Sequence, residues 1–125
     1  MSQLWRLSAR EIAQGIQKKD FSATEIVEAV LGRIAEKNPD LNAITVEFPE
    51  QALVAAAEAD AALADGSPLG PLHGVPVTIK ENTDVAGQAT PNGVPAFADL
   101  IALEDAPLVR NLRHVVVLVF TSKTL

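Results

Sequence analysis

Along this chain the apolar positions fall first at helical and later at strand spacing. Ser8, followed three residues later by Glu11, forms a capping box in which hydroxyl and carboxylate each take a backbone N–H at a helix start, and it predicts a short helix over 9–19. The signature recurs as Ser22 with Glu25. Behind it Ile26, Val27, Val30, Leu31 and Ile34 share one face, with Glu28, Arg33, Glu36 and Lys37 on the other, so a second helix is expected to end before Pro39. Residues 41–46, β-branched toward their end, read as a short strand or extended link. Pro49 suits the first turn of a third helix, and residues 52–64 hold eight alanines in thirteen. Gly66 suits the left-handed residue just past its end.

From 66 to 76, three glycines and three prolines in eleven residues forbid regular structure until Val75. Val77-Thr78-Ile79 then predicts a buried strand. Residues 81–103 keep no period and read as a long ordered loop of the kind that lines a site. Asp105 is expected to cap a helix with Pro107 in its first turn and Leu108, Val109 and Leu112 on its apolar face. An apolar strand over 115–120 closes the order, which belongs to the α/β class. The expected organisation is one partial domain: helices over 1–66, a strand and loop over 67–104, and a helix and strand over 105–125. A strand as apolar as 115–120 belongs at the centre of a sheet, yet only one other strong strand is present. Either another chain supplies neighbours or 115–120 drives self-association.

Composition then narrows the function. Ten basic against sixteen acidic side chains, a net charge of −6, argue against a partner in nucleic acid or anionic lipid. Aromatic residues at 4%, without tyrosine, do not build a base-stacking platform. The absence of cysteine removes disulfides, thiolate metal sites and a cysteine nucleophile. The N-terminus lacks the apolar core of a secretory signal, and the six apolar residues 115–120 fall far short of the roughly 20 needed to span a membrane. A cytoplasmic protein with no membrane partner is expected. His73 and His114, the two histidines, have no metal-ligand spacing, and Val75-Pro76 replaces the Lys-Ser/Thr of a phosphate loop after Gly74. No metal and no cofactor are expected.

Two side chains remain as candidates for chemistry. His73, in the glycine-rich turn, reads foremost as a loop histidine satisfying backbone groups, with acid or base work as the alternative. Lys80 stands at the carboxyl end of an apolar strand, where open α/β sheets place functional groups. Enclosing its amine would disfavour the ammonium and give a neutral base. The plain alternative is a solvated lysine paired with Glu81.

The run Gly70-Pro71-Leu72-His73-Gly74-Val75-Pro76-Val77-Thr78-Ile79-Lys80-Glu81-Asn82, followed by Asp84-Val85-Ala86-Gly87 and Thr90-Pro91-Asn92-Gly93, resembles the lysine-bearing region of the amidase signature family. The helices over 7–20 and 22–38, Asn42 to Ile44, and Asp105 to Arg113 resemble its flanking segments. This likeness implies the N-terminal part of an α/β fold with helices packed around a mixed β-sheet, incomplete in this chain. It also implies hydrolysis of small-molecule amides by a Ser, cis-Ser, Lys triad, with Lys80 as the lysine. The family's serines lie in a Gly-Ser-rich context that none of Ser2, Ser8, Ser22, Ser67 and Ser122 shares. The chain alone is therefore expected to be inactive. Residues 114–121 lack the glycine of the family's next turn, so the last dozen residues read as a departure from its pattern. The alternatives are the amidase-type component of a tRNA-dependent amidotransferase and a non-catalytic interaction module from a degraded gene.

Overall fold

The fold, taken from a computed structural model, is described for residues 3–115 and 119–124. Both capping boxes form. In helix α1 (Ala9–Gln17), the Ser8 hydroxyl accepts the Glu11 N–H at 3.2 Å and the Glu11 carboxylate accepts the Ser8 N–H at 2.7 Å. The backbone N–H and then the hydroxyl of Ser8 hold the Glu11 carboxyl below its ordinary range. The helix stops two residues short of the expected 19 because Lys19 turns left-handed (φ 62°). That turn lets Lys19 and Asp20 donate back to the carbonyls of Ile16 and Gly15, a Schellman closure without glycine.

Helix α2 (Ala23–Leu41) begins at the second box and runs through Pro39 instead of ending before it. Pro39 lies in the last turn, so its missing N–H costs one ladder bond near an end that frays in any case. Asn42, left-handed at φ 48°, closes the helix onto the Asn38 carbonyl. Asn38 then clamps Ile44, donating to its carbonyl and accepting its N–H, both at 2.9 Å, which aims strand β1 (Ile44–Glu47). Helix α3 (Pro49–Ala64) starts at its proline and closes over Gly66 (φ 73°), as expected. Ala52, Ala56 and Ala59 fall on one helical face, and their small side chains let α3 lie against Ile26 and Val27 in a core shared with Ile12, Ile16 and Val75.

Strand β2 (Pro76–Lys80) leads through the long loop into helix α4 (Pro107–Val115), and strand β3 (Val119–Thr124) returns parallel to it. This strand, helix, strand crossover is the connection that parallel strands require. The sheet order is β1-β3-β2, with β1 antiparallel to β3, so the sheet is mixed. The expected strand over 115–120 is displaced: Val115 ends α4, 116–118 lie outside the described residues, and pairing begins at Val119. Helical hydrogen bonding carried to the end of α4 outweighs the β preference of the branched Val115. Strand β3 has neighbours on both sides, β1 and β2.

Asp105 also differs from expectation. It stands two residues before α4, where its carboxylate accepts the Ala86 N–H at 2.9 Å and pairs with Arg113 Nε at 2.8 Å, tying the loop to the helix. A second small core forms there from Ile79, Val85 and Val109. Among the described residues no helix is long and apolar enough to cross a membrane.

Candidate functional site

Three elements fix the approach to Lys80. The Gly70–Gly74 turn is folded on itself, with Val75 N–H donating to the Leu72 carbonyl at 3.1 Å. Gly74 sits at φ 79°, and a Cβ there would come within 2.7 Å of Ile16 Cδ1 and 3.1 Å of Ala23 Cβ, so only glycine lets the turn press against α1 and the start of α2. His73 is wholly buried, its Nε2 2.7 Å from the Ala59 carbonyl of α3. The expectation of a histidine satisfying backbone groups holds.

Lys80 is the last residue of β2, opposite Thr124 of β3, at the carboxyl end of the parallel pair. The expected buried strand is buried at Ile79 only: Val77 is half-buried, while Thr78 and Lys80 are exposed. The reason is the two-residue period of a strand, which turns Val77 and Ile79 onto the α4 cluster and Thr78 and Lys80 to the other side. Among the described residues nothing encloses the Lys80 side chain. Nor does an ion pair join Lys80 to Glu81 among the described residues; the Glu81 carboxylate accepts the Asn92 N–H at 2.8 Å.

The loop beyond Lys80 is ordered by its own hydrogen bonds. Thr83 N–H returns to the Lys80 carbonyl, Gly87 and Ala102 bond across the loop, and Ala106 N–H reaches the Asp84 carbonyl, all at 2.9–3.0 Å. Glu81, Gln88, Pro91 and Ala98 of this loop face Thr45, Val46 and Phe48 across a largely apolar cavity of about 430 Å³. Sequence reading missed this cavity, because its two walls lie more than thirty residues apart and carry no motif. His114 lies near the end of α4, away from His73 in sequence and outside any expected role.

The comparisons with known proteins agree on one family. The family model described as Amidase matches residues 25–124. That match runs to residue 124, so all but the final residue of the last dozen lie within its span. An indoleacetamide hydrolase of Bradyrhizobium diazoefficiens is 51% identical over 110 residues, 88% of this chain and 21% of the relative. A glutamyl-tRNA(Gln) amidotransferase subunit of Carboxydothermus hydrogenoformans is 38% identical over 98% of this chain and 25% of its own length. The peptide amidase of Stenotrophomonas maltophilia superposes with a TM-score of 0.87 at 32% identity, covering 99% of this chain and 26% of that one. The chain thus spans about a fifth to a quarter of the length of the curated relatives it matches.

Proposed function

The chain belongs to the amidase signature family, and from that premise we propose that it contributes the lysine base, Lys80, of an amide hydrolase acting on small aryl-acetamide substrates. The observation that carries this reading is the position of Lys80 at the carboxyl end of β2, held by a buried turn on one side and a hydrogen-bonded loop on the other. The substrate class follows the indoleacetamide hydrolase with which the chain shares 51% of its matched residues.

In this mechanism the neutral lysine amine accepts a proton from a bridging serine, which takes one from the nucleophilic serine. The serine oxygen adds to the amide carbon, the C–N bond breaks, the amine leaves with the proton, and water releases the acyl group. None of the five serines of this sequence stands in the family's Gly-Ser context, so both serines come from residues outside these 125. Those residues also supply the enclosure that the exposed Lys80 lacks here. By itself the chain does not turn over amides.

The test is reconstitution. The 125-residue chain is mixed with the rest of an indoleacetamide hydrolase as a separate polypeptide, and hydrolysis of indole-3-acetamide is followed. The chain alone is expected to be silent and the pair active, with Lys80→Met lowering the rate by about 10²–10⁴-fold. Undiminished activity of the methionine variant overturns the role of Lys80. A second reading is favoured by the amidotransferase relative, whose match covers 98% of the chain. It predicts release of ammonia from glutamine by the reconstituted pair in place of aryl-acetamide hydrolysis.

A further inference from the structure

We propose that His73 is a positioning residue for Lys80: its Nε2–H, held on the Ala59 carbonyl, pins the turn that launches β2 to helix α3. The proposal rests on the reading of Lys80 as the base. A carbonyl can only accept, so the 2.7 Å contact places the ring proton on Nε2. In the neutral ring Nδ1 is then a bare lone pair, buried and without a hydrogen-bond partner among the described residues.

A polar atom left unmatched in a core carries a cost that an apolar side chain of similar size would not. Nor does Ala59 need the histidine. It lies inside α3, which runs to Ala64, so its carbonyl already faces its helical partner Leu63. What the contact adds is direction, since it joins the turn to one point of the helical layer.

That point is a junction. Asp60, next to Ala59, accepts the N–H groups of Ala23 and Thr24 at 2.7 and 3.1 Å and so fixes the start of α2. Gly74, next to His73, packs against Ala23 itself. His73, Gly74, Ala23, Asp60 and Ala59 therefore close a ring of contacts among α2, α3 and the turn. From it β2 runs to Lys80 with each of its residues paired to β3, across a one-residue register shift between Val77 and Thr78, so the placement of its first residue and the fixed rise of the strand set where Lys80 stands.

The experiment uses the ¹⁵N-labelled 125-residue chain. Long-range proton–nitrogen correlation of the His73 ring is expected to find the proton on Nε2, and a proton on Nδ1 alone overturns the proposal. His73→Gln keeps an N–H donor at the reach of Nε2, whereas His73→Leu removes it. The leucine variant is expected to speed exchange of the β2 amides that bond to β3 about tenfold relative to Ile16 and Val27, and to shift the Lys80 Cε resonance. The glutamine variant is expected to restore both. Uniform acceleration across the core, no change at the end of β2, or no rescue by glutamine overturns it. Should the leucine chain fail to fold, the ring's protonation pattern and the exchange of the glutamine variant still decide. These readouts do not depend on catalysis, so failure of the Lys80 reading in the reconstituted enzyme stays distinguishable from failure of the pin.

Discussion

At the scale of single residues, two positions carry consequences out of proportion to their size. Gly74 combines a left-handed backbone with contact on both sides, because an added methyl meets Ile16 and Ala23. Gly74→Ala is expected to cost about 2 kcal/mol from the backbone alone, with repacking of Ile16 adding to it, as measured by urea unfolding. Glu11 works through protonation. Its carboxyl sits below its ordinary range in the folded chain because Ser8 donates to it. A carboxyl depressed by folding stabilises above its unfolded value, and that stability is lost as pH falls through the folded one. Between about pH 5 and pH 3 the native chain should therefore lose more stability than Glu11→Gln, which keeps the capping geometry without the charge. Parallel acid limbs in the two chains would contradict this.

Elements are held here as much by side chains from elsewhere as by their own caps. The first three N–H groups of α2 all have side-chain acceptors: Ala23 and Thr24 find Asp60 of α3, and Glu25 finds Ser22. Ala23 is fully buried, so water cannot replace the carboxylate. Asp60→Ala should cost about 1–2 kcal/mol and, by hydrogen exchange, loosen the first turn of α2 before its last. Only half of this arrangement was legible in sequence. The Ser22 box is a pattern within four residues, but the Asp60 cap joins positions 36 and 37 apart. The same contrast separates α3, whose proline start and glycine stop are local signals, from β3. Its apolar run suggested 115–120, whereas α4 takes Val115 and the strand pairs from Val119.

Across the whole molecule, apolar surface is left open away from the central strand. Leu100, Leu103 and Leu108 are 63%, 94% and 60% exposed, with Phe97 beside them in sequence. Exposed side chains of this size, close together along the loop and the start of α4, favour association. Concentration-dependent sedimentation of the chain is expected, and Leu100→Lys with Leu103→Lys should reduce it. A double variant that sediments as the native chain does would place the contact elsewhere. The site has the same whole-molecule character. Lys80 was legible because its neighbours in sequence carry a recognisable run, but its exposure was not, since that depends on what covers the far side of β2.

By itself the sequence determined the helices, the turn before β2, the candidate lysine and the family they resemble, because each rests on hydrogen bonds, backbone preferences or motifs spanning a few neighbouring residues. Tertiary structure alone decided where β3 begins, which backbone groups Asp60 and His73 meet, that Lys80 is open to solvent, and that a cavity lies between Phe48 and the loop. These depend on groups brought together from distant parts of the chain, and the free energy of such contacts is set by packing and burial that no local pattern encodes.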